Sequence, residues 1–343
     1  MRDATRPWAT NPRARDWTTS RGAQSPIAFH RTIPGYAATP LMQLETGLWA
    51  KDESDRFGLP AFKVLGASWA SNCAISAELG MAPAQTFSAL LERSRGLSTT
   101  LVTATDGNHG RAVAWMARQL GLRARIYVAA GLLQTTIQAI RDEGAEVIET
   151  GRVYDEAVRT AAASGDLLIQ DTAWEGYEEV PRWIVDGYST LFAEIDDRLD
   201  VDLVVVPTGV GSLLQAALER YRADGPRPAV LAVEPVTAAC VSASLAAGHL
   251  VSVDTSAPTI MAGLNCGTVS SLAWPAIREG LDAAIGVTDE EARDAMRQLH
   301  AAGLPAGPCG AAALAGFRAA QLGPFPTVVL ISTEGVAANS AAR

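Results

Sequence analysis

With 343 residues, the chain is long enough to bury a large core and to form two domains or lobes. Apolar residues make up 48% and charged residues 19%, a composition that excludes a disordered chain. The net charge of −9 argues against nucleic acid as a partner, since a nucleic-acid-binding surface needs a concentrated basic face. No apolar run reaches the roughly 20 residues that span a bilayer, so we expect no membrane partner. The N-terminal arginines precede no apolar segment of a secretion signal, and we expect a cytoplasmic protein.

Strand-like and helix-like segments alternate through the middle of the chain. The pattern predicts strands at 101–105, 124–130, 145–150 and 166–172, with helices at 109–121, 132–144 and 154–165. Three β–α units of this length require a parallel sheet with helices on its faces. The aromatic segment 173–199 is predicted to be a helical hinge or lid.

A second alternating series begins near residue 201. It predicts strands at 201–209, 228–235 and 326–333, with helices at 212–225 and 238–248. The two series together predict two α/β lobes with a cleft between them. We expect loose structure only in the first twenty or so residues.

The cysteines and histidines are scattered rather than clustered. Cys73, Cys240, Cys266 and Cys309 form no C-x-x-C pair, and the four histidines are equally far apart. A metal site would need long-range convergence of these residues, so no metal is predicted. Free, mostly buried thiols in a reducing compartment are expected instead.

Three glycine-rich turns follow predicted strands, where ligands bind in α/β sheets. They are "TATDGNHG" (103–110), "PTGVGSL" (207–213) and "STEG" (332–335). The backbone N–H groups of the second turn, at the start of a helix, form a phosphate cradle. The dinucleotide fingerprint G-x-G-x-x-G is absent because Leu214 stands at its third glycine, which disfavours a nicotinamide dehydrogenase. The P-loop motif is absent as well, so another phosphorylated ligand is indicated.

Lysine is almost missing from the chain, which contains Lys51 and Lys63 against 26 arginines. Unlike arginine, lysine can lose its proton, attack a carbonyl and form a Schiff base. Pyridoxal 5′-phosphate combines an aldehyde with a phosphate, and a retained lysine together with a phosphate cradle suits it. Lys63, in an apolar, glycine-flanked segment, is therefore predicted to be functional. Lys51, among charged neighbours, is expected in a solvated turn or in ion pairs.

Several of these segments together resemble the diaminopropionate ammonia-lyases, a group within the tryptophan-synthase-β-like, fold-type II pyridoxal-phosphate enzymes. The resemblance rests on "KDESDRFGLPAFKVLGAS", "TATDGNHGRAVAW", "QDTAWEGY", "FHRTIPGYAATPL", "GAEVIET", "TIMAGLNCG" and "LISTEG". It implies a two-lobed α/β fold in which each lobe is a mostly parallel sheet flanked by helices, with the cofactor in the cleft. The larger lobe is expected at 1–65 and 190–343, and the smaller, mobile lobe at 66–189. A homodimer is also implied.

The resemblance further implies roles for individual residues. Lys63 would carry the cofactor with Phe62 beside it, and Asn108 would bond the cofactor's 3′-oxygen. Ser332 or Thr333 would face the pyridine nitrogen. The phosphate loop would consist of Gly209, Val210, Gly211, Ser212 and Leu213.

Two carboxylates complete the implied site. Asp106 stands where many relatives have serine and is a candidate base, although a helix N-cap is the alternative role for it. Asp171 would lie near the substrate's amine. Lys63 would remove the α-proton of an L-substrate, and Asp106 would do so from the opposite face for a D-substrate.

The implied reaction is an α,β-elimination on a small amino acid, with 2,3-diaminopropionate giving pyruvate and ammonia. A serine/threonine dehydratase or a cysteine-synthase-like β-replacement synthase on the same fold is the alternative, and the carboxylate in "TDGNHG" favours the diamino substrate. Retention of Lys63 argues against a non-catalytic homologue. The sequence departs from the family at Leu214 and Gln215 and at Pro308 and Cys309.

Overall fold

A computed structural model describes residues 6–20, 25–223, 225 and 227–338. Within these ranges the strands are β1 (Trp8–Thr10), β2 (Leu41–Glu45), β3 (Leu48–Asp52), β4 (Thr100–Thr105), β5 (Arg123–Val128), β6 (Glu146–Glu149), β7 (Leu167–Leu168), β8 (Leu203–Pro207), β9 (Ala229–Pro235), β10 (Ala283–Val287) and β11 (Val328–Ser332). The helices there are α1 (Pro26–His30), α2 (Val64–Glu78), α3 (Phe87–Ser94), α4 (Asn108–Leu120), α5 (Gln134–Asp142), α6 (Tyr154–Ala162), α7 (Glu179–Asp196), α8 (Ser212–Ala223), α9 (Cys240–Ala247), α10 (Trp274–Gly280), α11 (Asp289–Ala301) and α12 (Pro308–Ala320).

The larger sheet has seven strands in the order β1-β10-β9-β8-β11-β3-β2. Its five central strands run parallel, and β1 and β2 pair antiparallel at the edges. Strands β8, β9 and β11 are buried along their whole length, as expected of a parallel sheet covered by helices on both faces. Because β1 belongs to this sheet, the expectation of a loose N-terminus is wrong for residues 8–10.

The smaller sheet has four parallel strands in the order β6-β5-β4-β7. It is the parallel sheet that the first alternating series predicts, with its helices within a few residues of the predicted bounds. The two sheets with their flanking helices confirm the predicted α/β fold class. The proposed lobe boundaries stay a prediction, and both fall inside helices, α2 and α7.

Helices α2 and α7 pack closely, since glycine occupies both sides of their contact. A Cβ on Gly187 would lie 2.4 Å from the carbonyl oxygen of Leu65, and one on Gly66 would lie 2.5 Å from Cε1 of Tyr188. Helix α7 buries Tyr188 and ten other residues, so this part of the predicted hinge or lid is a packed core helix. The contact fixes the start of α2, where Lys63 lies.

A cluster of four buried charges lies between β3 and α7, and we call it the Lys51–Glu194 cluster. Lys51 Nζ donates to Glu194 Oε2 at 2.6 Å, and both side chains are 1% exposed. Arg56 Nη1 donates to Glu194 Oε1 and its Nη2 to Glu53 Oε1, both at 2.7 Å. The solvated turn expected for Lys51 is therefore wrong and the ion pair is correct, because the tertiary fold brings Glu194 to it.

The cysteines are all free, as predicted; Cys266 is partly exposed and the other three are buried. In the described part of the chain, each helix is too short or too polar to cross a membrane.

Candidate active site

Lys63 lies at the start of α2, where the chain enters the space between the two sheets. Its Nζ donates to Asp171 Oδ2 at 2.9 Å, and its side chain is 27% exposed. The Phe62 ring packs edge-on against Tyr188 with centroids 4.8 Å apart, and Lys63 Nζ lies 5.5 Å from the Phe62 centroid. Aromatic rings thus lie on one side of the amine, and part of the lysine side chain remains exposed to solvent.

Asp171 follows β7 at the carboxyl end of the smaller sheet. The buried amide of Gln170 donates from Nε2 to Asp171 Oδ1 at 3.2 Å, while its Oε1 accepts from the Ala104 backbone N–H at 2.9 Å. His109 lies behind the carboxylate, its Nδ1 3.8 Å from Asp171 Oδ2 and its Nε2 donating to the Ile169 carbonyl at 2.7 Å. Each oxygen of Asp171 is therefore held by a separate donor.

The charges of this pair reinforce each other. Burial opposes the charge on Lys63, but Tyr188 and Asp171 outweigh it and hold the pKa of the amine well above its usual range. Burial likewise opposes ionisation of Asp171, but His109 and Lys63 lower its pKa to about 2. Burial lowers the pKa of His109, so Lys63 is the cation that Asp171 faces at neutral pH.

Asp106 directly follows β4, and its side chain is exposed. The N-cap alternative is wrong, because the Thr105 hydroxyl instead accepts from the backbone N–H groups of Gly107 and Gly110, at 2.9 and 3.0 Å. Asp106 therefore does not cap α4. The Asp106 carboxyl lies within the electrostatic influence of both Lys63 and Asp171.

Asn108, the first residue of α4, points to the other sheet. Its Nδ2 donates to Glu334 Oε2 at 3.0 Å, and Glu334 Oε1 accepts from the backbone N–H of Cys309 at 3.2 Å. Burial raises the pKa of Glu334, which is 5% exposed.

The turn 209–213 connects β8 with α8, and two of its positions accept only glycine. A Cβ on Gly209 would lie 2.9 Å from the Cys266 sulfur, and Gly211 has φ +100°. Leu213 turns its side chain into the core, so its contribution to a ligand would come from the backbone. Together with Val210 and Ser212, these residues offer backbone N–H groups at the N-terminus of a helix, an arrangement that binds phosphate.

Ser332, at the end of β11, carries a buried hydroxyl. It is 1% exposed, and its Oγ has no hydrogen-bond partner among the residues that the structure describes. The neighbouring Thr333 is bonded through its backbone, because its carbonyl accepts from the Phe62 N–H at 3.3 Å. An orphaned buried hydroxyl is costly unless a ligand satisfies it, and this favours Ser332 over Thr333 as a ligand contact.

Pyridoxal phosphate fits these residues. An amine is present for its aldehyde, a glycine cradle for its phosphate and an unpaired hydroxyl for its ring nitrogen. A cleft of this kind between two α/β lobes is typical of enzymes that hold an aldehyde cofactor on a lysine. An enzyme of this class needs a lysine amine in the cleft, which explains why Lys63 is not an arginine.

Comparison with known proteins gives the same result. The sequence profile of the family described as "Pyridoxal-phosphate dependent enzyme" matches residues 33–334, and the chain belongs to this family. A diaminopropionate ammonia-lyase of Salmonella typhimurium is 39% identical over 297 residues, which cover 79% of this chain and 74% of that one. An L-threonine dehydratase of Mycobacterium leprae is 34% identical over 249 residues, which cover 70% of this chain and 57% of that one.

Solved structures extend the comparison to nearly the whole chain. The Escherichia coli diaminopropionate ammonia lyase in complex with D-serine matches with a TM-score of 0.88 at 33% identity, covering 98% of this chain and 95% of that one. The same enzyme in complex with an aminoacrylate-PLP azomethine reaction intermediate matches with a TM-score of 0.85 at 32% identity and the same coverage. The predicted fold type and cofactor are thereby confirmed.

The structure adds residues to the site that the sequence did not single out. Glu334 was visible only as part of the "STEG" turn, and Gln170 only as part of "QDTAW". Tyr188 had no local signal, since it reaches Lys63 through the packing of α7 on α2. Thr105 could have been found as the threonine that precedes a helix start, in place of Asp106.

Proposed function

We propose that this protein is an ammonia-lyase that eliminates the β-amino group of 2,3-diaminopropionate and yields pyruvate and ammonia. The observation that carries the proposal is the pair of carboxylates, Asp106 and Asp171, in one cleft with Lys63. The names of the Salmonella and E. coli relatives support the same substrate.

The charge of the cleft supports a diamino substrate. A 2,3-diaminopropionate molecule carries a second amino group where serine carries a hydroxyl. Asp171 is ionised at neutral pH because its pKa lies at about 2. Asp106 is a second carboxyl group in the same cleft, within the electrostatic influence of Lys63. A carboxylate in a cleft is stabilised by a substrate ammonium group and gains little from a hydroxyl.

Lys63, Asp106 and Asp171 then have roles in acid–base chemistry. When bound, the cofactor supplies the electron sink that makes the substrate's α-proton acidic. Lys63 Nζ takes that proton from an L-substrate once it has lost its own, and Asp106 takes it from the opposite face of a D-substrate. Asp171 accepts hydrogen bonds from Lys63 or from the substrate's β-ammonium group, which leaves as ammonia. Gln170 holds Asp171 in place. General acids and bases of this kind contribute about 10²- to 10⁴-fold each.

The remaining residues bind rather than react. The turn Gly209–Leu213 provides backbone donors for the phosphate, and Asn108 and Ser332 are polar partners for the ring substituents. Phe62 encloses the lysine. The departure at Leu214 is accommodated in the core, where the side chain is fully buried, and it leaves the donor groups of the turn in place.

Product stoichiometry tests the proposal. The purified holoenzyme is offered L- and D-2,3-diaminopropionate, L-serine and L-threonine, and ammonia and keto acid are measured together. Diaminopropionate releases two ammonia molecules per pyruvate, whereas serine releases one, so a two-to-one ratio identifies the reaction. Turnover of serine or threonine alone would overturn the substrate and leave a dehydratase, and turnover only with an added nucleophile would indicate β-replacement.

Asp106→Asn tests the two-base arrangement. The variant keeps the shape of the side chain but removes the base, so turnover of the D-isomer falls by at least about 10²-fold while the L-isomer retains most of its rate. Equal losses for both isomers would contradict the assignment of Asp106 to one face.

We also propose a cytoplasmic homodimer whose smaller lobe, residues 66–189, moves against the rest. The free thiols support a reducing compartment, and the family resemblance supports the dimer. Light scattering of the holoenzyme checks the dimer: the mass of one chain, 36.0 kDa, would refute it.

A further inference from the structure

Glu334 is a buried carboxylate that connects the two halves of the site. It follows β11 of the larger sheet, two residues after Ser332, and accepts a hydrogen bond from Asn108, which begins α4 beside the smaller sheet. Its second oxygen accepts from the backbone N–H of Cys309 in the first turn of α12. The contact thus crosses the cleft directly beside the proposed cofactor site.

The local structure is shaped to hold this side chain. A Cβ on Gly307 would lie 3.0 Å from Glu334 Oε1, and a Cβ on Gly310 would lie 2.6 Å from the Glu334 backbone oxygen. The carboxylate also sits at the N-terminus of α12, where unpaired backbone N–H groups favour a negative charge. Cys309, where the sequence departs from the family, contacts Glu334 through both its backbone N–H and its thiol.

The contact fixes the direction of the Asn108 amide. Asn108 Nδ2 donates to Glu334 Oε2 at 3.0 Å, so the Oδ1 end of the amide points away from Glu334. Without Glu334 the amide could turn over and exchange its donor and acceptor ends at little cost.

We propose that Glu334 is a positioning residue that acts through Asn108, setting which end of the amide meets the cofactor. The inference rests on the proposed function, in which Asn108 is a polar partner of the cofactor ring. Glu334 itself touches neither substrate nor cofactor in this proposal.

Glu334→Gln keeps the shape of the side chain but replaces one of its acceptor oxygens by a donor. The backbone N–H of Cys309 still needs an acceptor, so the new Oε1 stays with it and the new Nε2 replaces the oxygen that faces Asn108. Asn108 must then turn over so that its Oδ1 accepts from Nε2. The polarity that Asn108 offers to the cofactor is thereby reversed.

A double-mutant cycle tests the proposal, using Glu334→Gln, Asn108→Ala and the double variant. The measured quantities are the dissociation constant of pyridoxal phosphate and the absorption maximum of the bound cofactor, neither of which requires turnover. We expect Glu334→Gln to weaken binding about tenfold and to shift the maximum. When Asn108 is already alanine, Glu334→Gln should weaken cofactor binding by less than about twofold further, because Glu334 acts on the cofactor only through the Asn108 amide.

The outcomes separate this inference from the proposed function. If Glu334→Gln and Asn108→Ala are additive, Glu334 does not act through Asn108 and the inference is overturned, while the lyase assignment stands. If Asn108→Ala changes neither readout, the proposed role of Asn108 fails and the inference fails with it.

Glu234→Gln is the matched control. Glu234 is also buried at a helix start, where it accepts from the backbone N–H groups of Val241 and Ser242 at 2.7 and 2.9 Å. We expect this variant to lower the melting temperature of the protein and to leave the absorption maximum unchanged. If Glu334→Gln shows only the same loss of stability, its role is structural and the inference is refuted.

Discussion

Glu194→Gln removes one charge from the Lys51–Glu194 cluster, and we expect it to destabilise the protein strongly. The carboxylate accepts from Lys51 at 2.6 Å, from Arg56 at 2.7 and 2.8 Å and from the Tyr36 hydroxyl at 2.6 Å. In the native protein two cations face two anions, and the side chains of Lys51, Arg56 and Glu194 are 1% exposed. The variant leaves an uncompensated positive charge in the interior.

Breaking a buried pair from one side costs about 3–5 kcal/mol. The entropy of unfolding of a chain of 343 residues is about 0.7 kcal/mol per kelvin, at roughly 2.1 cal/mol/K per residue. The melting temperature should therefore fall by about 4–7 °C. Calorimetry and urea unfolding of the same preparation measure both quantities.

Two further variants separate the destabilisation caused by the unpaired buried charge from that caused by a lost contact alone. Lys51→Met combined with Glu194→Gln restores the balance of one cation and one anion, so the double variant should be more stable than Glu194→Gln alone. Asp197→Asn, which breaks the exposed pair with Arg31, should cost less than about 1 kcal/mol. A loss below about 1 kcal/mol for Glu194→Gln, or a double variant less stable than the single one, would refute the reasoning.

The same cluster sets a pH dependence. Burial opposes ionisation of Glu194, but hydrogen bonds and charge from Arg56 and Lys51 lower its pKa from 4.5 to about 2. A lowered carboxyl pKa stabilises the folded state above the unfolded value and ceases to do so as the pH falls through the folded value. The difference in unfolding free energy between the native protein and Glu194→Gln should therefore shrink between about pH 4.5 and pH 2.

Three other predictions concern the site. Asp171→Asn removes the anion that faces Lys63 and so lowers the pKa of the lysine amine. Cofactor-free protein should therefore take up pyridoxal phosphate at lower pH, which absorbance measures. An unchanged pH profile of uptake would contradict the ion pair. Gly211→Ala places a Cβ on a residue with φ +100°, at 2.7 Å from Ile277 Cδ1. The free energy of unfolding in urea should fall by about 1–3 kcal/mol, and cofactor binding should weaken. Ser332→Ala removes an unpaired buried hydroxyl, so the free energy of unfolding of the cofactor-free protein should stay the same or rise by about 1 kcal/mol. The absorption spectrum of the bound cofactor should change. A clear loss of stability would show that the hydroxyl has a structural partner.

Local patterns in the sequence were sufficient for much of the fold. The parallel sheet of residues 100–168 and the glycine-rich turn before α8 follow from hydrophobic periodicity and from glycine at strand ends. Lys63 stood out because the chain otherwise uses arginine for its positive charges.

Contacts between distant residues could not be predicted in this way. Asn108 and Glu334 are separated by 226 positions, and Lys51 and Glu194 by 143. The charged neighbours of Lys51 in the sequence indicated a surface turn, but the tertiary fold buries the lysine and supplies its counterion from α7. Asp106 was assigned a possible capping role because of its position, although the preceding threonine has the geometry to cap the helix.

The burial of the Lys51–Glu194 cluster also determines how the protein responds to reagents that modify amines. Of the two lysines in the chain, Lys51 is 1% exposed and Lys63 is 27% exposed. An aldehyde or an acylating probe that enters the folded protein therefore meets one accessible lysine side chain, in the cleft. The surface carries its positive charge on guanidinium groups, which do not form Schiff bases, and so it does not compete with Lys63 for carbonyl compounds.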